Sequence, residues 1–207
     1  MNQKDVENFK EIFPGWDEYY KDTDVKTMPW YEEKLDHDIE NELKSNPLNS
    51  GIFLDLGTGP GTQAIQLSKI GFQVTGTDIS NSAIEKAKKL SDNVDFVVDD
   101  ILNSNLSDSK FDFIFDRGVF HVFENNQRTQ YLSQIKRILN DDGVLFLKCM
   151  SKEEKNLPDN GIPHKFSKQD IEDFFSADFE IQKISDSVFK GALDEFPKAL
   201  FSVLKKK

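Results

Sequence analysis

A single cysteine, Cys149, stands among 207 residues. An internal disulfide framework is therefore excluded, and the usage suits a reducing compartment. No run of 18 or more apolar residues occurs, so no membrane span is expected. The opening stretch, MNQKDVENFKEIF, has no apolar core of the kind a signal peptide needs, and a cytoplasmic protein is expected. Arginine is scarce: Arg117, Arg128 and Arg137 are scattered, and the only basic run is residues 205–207. With a formal net charge of -11, the chain lacks the basic footprint that binds phosphate backbones, so no nucleic-acid or membrane partner is expected. Histidines, the cysteine and carboxylates nowhere recur at metal-ligand spacing, so no metal is expected either.

What the chain does have is the hydrophobic content of one domain, with 18 phenylalanines pointing to an aromatic core. Residues 1–48 form a polar arm dense in aromatics. Ile12, Trp16, Tyr19 and Tyr20 recur at helical spacing, and Tyr31, Leu35, Ile39 and Leu43 do so more clearly. Pro29 interrupts or starts a helix between them, and Pro47, Asn49 and Ser50 mark a loop. From 49 to 207 the pattern is one compact unit. Strands are expected at 51–56, 72–77, 94–98, 111–115 and 144–149. They alternate with helices at 62–70, 80–90, 127–139 and 167–175, and two last strands follow at 179–184 and 199–204. Alternation of this kind predicts an α/β, mostly parallel sheet with helices on both faces, and the last two strands suit an antiparallel hairpin at one edge.

The informative segment is Asp55-Leu56-Gly57-Thr58-Gly59-Pro60-Gly61, which follows a strand and opens a helix. Glycines there permit a sharp turn and let a ligand touch the backbone. Asp55, just ahead of them, would repel a pyrophosphate but suits a ligand carrying an ammonium and a sulfonium. Asp78 closes the second strand, about 20 residues beyond the glycines, where an acid accepts both hydroxyls of a ribose. Ile79 then packs on an adenine face. At the end of the third strand, Asp99-Asp100-Ile101 offers an acid to the adenine amino group, with Asp100 the better placed.

This series resembles class I S-adenosylmethionine-dependent methyltransferases over residues 50–207. The resemblance implies a Rossmann-like sheet of seven strands with the last antiparallel, and S-adenosyl-L-methionine as cofactor. It places the methionine part on Gly57, Thr58, Gly59 and Gly61, the ribose on Asp78, and the adenine near Asp100.

On the acceptor side, Asp116-Arg117-Gly118-Val119-Phe120-His121 ends the fourth strand, where ligands of open α/β sheets bind. The string is similar to that of thiopurine and thiol or halide methyltransferases. So are Met28-Pro29-Trp30, residues 147–151, and residues 161–167, although His164 follows Pro163 where those relatives carry a second proline. The resemblance implies methyl transfer to a small thiol or other soft nucleophile. Trp30 then covers the cofactor, and Tyr20, Trp30, Arg117, His121 and His164 meet the acceptor. His121 is a candidate base and Asp116 a base or polar wall. The aromatic arm reads as a helical lid. A protein-lysine methyltransferase, which carries a similar motif after its fourth strand, and a non-catalytic cofactor-binding protein are the alternatives. Either a monomer or a homodimer is compatible with the sequence.

Overall fold

A computed structural model describes residues 15–46, 50–157 and 161–207. The elements are α1 (Trp16–Asp22), a 3-10 turn (Val25–Thr27), α2 (His37–Ser45), β1 (Ile52–Leu56), α3 (Thr62–Lys69), β2 (Gln73–Asp78), α4 (Asn81–Lys88) and β3 (Asp95–Val98). After them come β4 (Phe111–Arg117), α5 (Asn125–Ile138), β5 (Leu139–Met150), α6 (Lys168–Phe175), β6 (Phe179–Val188) and β7 (Lys198–Lys206). The seven strands form one sheet in the order β3-β2-β1-β4-β5-β7-β6. All pairings are parallel except those of β7, which runs antiparallel to both β5 and β6. The expected fold is thus the observed one. None of the described helices is long and apolar enough to cross a membrane.

Alternation along the strands divides the core. Phe53, Phe113, Phe115, Phe146 and Phe201 face one side, under Ile39 and Leu43 of α2, Ala64 and Leu67 of α3, and Ile84 and Ala87 of α4. Leu54, Ile114, Leu145 and Leu147 face the other, under Tyr131 and Ile135 of α5 and Ile171 and Phe175 of α6. The strand order turns back between β1 and β4, which opens a crevice at the carboxyl ends of these strands.

Local signals place the helices well. Ser80 accepts from the Ala83 N–H at the start of α4, and Ser167 forms a capping box with Asp170 at the start of α6. Helix α5 ends at Ile138, one residue before the expected 139, because β5 starts at once with Leu139. Leu139 pairs with Phe111 and Val144 with Phe113, so residues 140–143 bulge out with Asp142 at φ 62°.

The arm departs from its periodicity. Tyr31 and Leu35 precede α2 in irregular chain, because side chains from the sheet domain satisfy that backbone better than a helix would. Gln63 Nε2 donates to the carbonyls of Glu32 and Lys34, its Oε1 accepts from Asp36 N, and Gln66 Nε2 donates to Glu33 O. Ile12, Pro47 and Asn49 lie outside the described residues.

Candidate functional site

One cavity of about 250 Å³ runs along the crevice, from Asp78 and Asp100 at one end to Phe189 and Pro197 at the other. Its first half is built by the tips of β1, β2 and β3. Gly57, Gly59 and Gly61 all have positive φ, at 68°, 52° and 82°. At Gly57 a Cβ would lie 2.2 Å from Val119 Cγ2, and at Gly59 2.7 Å from Tyr20 Oη. Backbone, not side chain, therefore faces the cavity there. Gly61 does not line the cavity, contrary to expectation. It is the left-handed N-cap of α3, packed where a Cβ would meet Phe96 at 2.6 Å.

Gly57→Val should expose this constraint. The left-handed backbone and the collision with Val119 together are expected to cost about 1–3 kcal/mol. Adding Val119→Ala should relieve the collision but not the backbone strain, so thermal unfolding of the pair should recover only part of the loss. Full recovery would mean that φ at residue 57 is unimportant.

Four acids, Asp55, Asp78, Asp99 and Asp100, stand at the cavity wall. Asp55 is buried, and its Oδ2 accepts from Thr58 Oγ1 (2.6 Å) and Ala64 N (3.0 Å). Asp78 accepts from Gly59 N and Ser80 N, both at 2.9 Å. Burial pushes each carboxyl up to about 6, against the opposing pull of those hydrogen bonds. Asp99 turns inward to accept from Asn105 N. Asp100 stays partly exposed and caps the turn at Ile101–Asn103 through Leu102 N. Ile79 lines the cavity and is 57% exposed, an apolar surface without a protein neighbour to cover it. Ile101 lines it too, from below.

Electrostatics select among ligands. Acids surround this half, and the one guanidinium at the wall, Arg117, is already engaged. A pyrophosphate does not fit such a surface, whereas a cationic nucleoside with free ribose hydroxyls does.

Four expectations for the β4 end need correction. Asp116 is fully buried and does not line the cavity. It accepts from the N–H groups of Gly118, Val119 and Phe120 and from Tyr131 Oη, so it shapes the loop and is neither base nor wall. Arg117 reaches the cavity wall, but its donors go to Asp36 Oδ2 (2.8 Å), Trp30 O (3.0 Å), Glu32 Oε2 (3.1 Å) and Lys190 O (2.6 Å). It is a staple between the arm and the β6–β7 connection, not an acceptor ligand. His164 does not line the cavity. Its ring turns toward Glu124, and its N–H donates to His121 O (2.7 Å). His121 does line the cavity, but its Nδ1 accepts from Met150 N at 3.1 Å, and burial pushes its pKa down to about 3. Both the Met150 N–H on Nδ1 and the burial weaken it as a base.

The second half is apolar: Met150, Leu157, Ile162, Pro163, Phe189, Leu193 and Pro197, roofed by Trp30 and Tyr31. Tyr20 and Trp30 join through Trp30 Nε1 donating to Tyr20 Oη, with Trp16 and Tyr19 packed beside them. The roof closes where the arm meets the β6–β7 connection: a Cβ at Gly191 would lie 2.0 Å from Pro29 O.

Sequence reasoning missed the cluster behind this roof. Lys148, fully buried, lies 2.8 Å from Asp36 Oδ2 and 2.7 Å from Asp38 Oδ2, beside Arg117 on the neighbouring strand. Burial by itself would raise the Asp36 carboxyl, but Lys148 and Arg117 outweigh it and hold the group below its ordinary range. The alternation of a central strand, which puts a lysine among phenylalanines on one face, was the available signal.

The methyltransferase-domain family profile matches residues 53–143. An uncharacterized methyltransferase of Schizosaccharomyces pombe is 33% identical over 120 residues, which are 56% of this chain and 82% of that protein. Human EEF1A lysine methyltransferase 2 is 34% identical over 122 residues, 52% of this chain and about half (51%) of that protein. A solved structure titled for the conversion of a disulfide bond into a thioacetal group during echinomycin biosynthesis superposes with a TM-score of 0.80 at 24% identity. It covers 93% of this chain and 91% of that one.

Proposed function

This chain belongs to the methyltransferase-domain family and takes its methyl group from S-adenosylmethionine, and from that premise we propose that the acceptor is a small apolar molecule with a soft nucleophile, a thiol before others. The observation that carries this is the apolar half of the cavity beneath Trp30 and Tyr31. Met150, Leu157, Phe189 and Leu193 line it, and among the described residues no carboxylate stands with them to receive a lysine ammonium. The staple of Arg117 on Trp30 O and Lys190 O, with Gly191 against Pro29, holds the arm over this half.

When bound, S-adenosylmethionine supplies a methyl group already activated on a sulfonium. What remains for the protein is alignment and exclusion of water. Asp55 and the Gly57–Gly59 backbone would hold the methionine part, Asp78 would accept the ribose hydroxyls, and Asp100 and Ile79 would take the adenine. Trp30 and Tyr20 cover the cofactor, and Val119 and His121 border the place where the methyl group meets the acceptor.

A screen with methyl-labelled cofactor tests the proposal. Label entering small aromatic thiols supports it. Label entering only a protein band would replace it with the lysine reading that the human relative's name offers.

The pH dependence of cofactor binding is a separate check. A cationic ligand with hydroxyl donors favours ionised Asp55 and Asp78, whose pKa values stand near 6 in the free protein. Affinity should therefore be full above that value and fall as pH drops through it. The limiting loss is about tenfold per pH unit for each group. Calorimetry between pH 5 and 8 reads this directly, and a flat profile would detach both acids from the cofactor.

A further inference from the structure

The apolar half of the cavity offers few polar groups, and His121 is the one whose ring chemistry the structure fixes. A backbone N–H has a proton to give and none to take. Since Met150 N points at His121 Nδ1 from 3.1 Å, Nδ1 must carry the lone pair. The neutral ring then bears its proton on Nε2, the nitrogen that a Cβ on Gly118 would approach to 3.2 Å. The ring is locked in this orientation. Phe189 stands edge-on with its centroid 5.6 Å away, and the His121 carbonyl is held by His164 N.

Charged neighbours do not favour a second proton. Arg117 and Lys148, both cationic, lie 5.5 and 5.6 Å from the Phe189 ring centroid. In the segment packed against His121, His164 also disfavours protonation, itself flanked by Glu124 and Arg128. Asp116, the nearest acid in its own loop, is taken up by three backbone N–H groups and Tyr131.

We propose that His121 is a fixed Nε2–H donor that selects acceptors whose attacking atom already offers a free lone pair, an anion such as a thiolate above all, on an apolar body. The inference rests on the methyltransferase reading of the cavity and deepens it. The acceptor's lone pair forms the new bond to carbon as the carbon–sulfonium bond breaks, with that bond's electron pair left on the sulfur. No proton has to move, so no base is required. An ammonium fails twice, since it has no lone pair and meets an N–H where it needs an acceptor.

Two measurements on the full chain test this. The first is the ring ¹⁵N–¹H spectrum, with His121 assigned by its loss in His121→Gln. It should show the Nε2–H tautomer, unchanged from pH 8 to 5. An Nδ1–H tautomer, or titration near neutrality, overturns the proposal. The second follows tryptophan fluorescence with S-adenosylhomocysteine bound. At pH 8 thiophenol, as its thiolate, should bind roughly ten- to a hundredfold tighter than the cation benzylamine. His121→Phe should abolish that preference, and His121→Gln, which keeps an N–H donor, should restore most of it. Equal binding, preference for the amine, no binding of the thiol, or an unaffected His121→Phe overturns the proposal. Calorimetry separates the two levels: retained S-adenosylhomocysteine binding leaves the methyltransferase reading standing when the donor role fails, and its absence removes both.

Discussion

Lys148→Met is expected to lower the unfolding free energy by about 3–5 kcal/mol, because it strands carboxylates that are buried behind the roof. Asp36 has no exposure and keeps only Arg117 as a cationic partner once the ammonium is gone, while Asp38 loses its own contact at 2.7 Å. Methionine fills much of the lysine volume, so the loss measures charge rather than a cavity. Urea unfolding followed by tryptophan fluorescence gives the number. In a double-mutant cycle, Asp36→Asn should be less damaging in the Lys148→Met background than in the parent, with a coupling of about 1–3 kcal/mol. Additive losses, or a single-variant effect under about 1 kcal/mol, would show that the cluster is not what fastens the arm to the sheet. Since Asp36 also caps α2 through Asp38 N, the change should be felt along the segment that carries Trp30.

Asp78→Ala is expected to weaken binding of S-adenosylhomocysteine by about 1.5–3 kcal/mol, the scale of hydrogen bonds to a charged group. Two effects combine here. The ribose hydroxyls lose their acceptor, and the glycine loop loses an anchor, since Asp78 Oδ2 takes the Gly59 N–H at 2.9 Å. Asp78→Asn separates them: it keeps an oxygen for the loop but loses the charge, and should fall between alanine and the parent. Calorimetry at pH 7.5 is the measurement, and unchanged affinity would remove the ribose assignment. The same loop is braced further, as Thr58 N donates to Thr77 O and Thr58 Oγ1 to Asp55.

Much of this was legible in the sequence because it is local. A strand followed by three glycines and a helix, an acid at the end of each of three strands, and Ser80 or Ser167 ahead of a helix depend on residues a few positions apart. Their backbone needs fix them: positive φ at Gly57, Gly59 and Gly61 has no cheap alternative. The antiparallel β7 followed from the same alternation, given the resemblance, whereas the strand order came only with the structure.

The acceptor side was misread wherever a side chain's partner lies far along the chain. Arg117 looked free in sequence, yet its partners are residues 30, 32, 36 and 190. Asp116 looked catalytic because it ends a strand, and Tyr131, fifteen residues on, together with the loop's own N–H groups shows it to be a brace. Tyr31 and Leu35 kept helical spacing but not helical structure, because Gln63 and Gln66 supply the hydrogen bonds that an extended backbone would otherwise lack.

By itself, then, the sequence determined the sheet, the glycine loop and the ring of acids for a cationic nucleoside, since those rest on backbone conformation and strand alternation. Tertiary structure alone decided how the His121 ring is held, that one half of the cavity is apolar beneath Trp30 and Tyr31, and that a buried lysine pairs with the acids of the arm. Each of these depends on a donor or acceptor brought from a distant segment, and no local pattern records where such a partner will arrive.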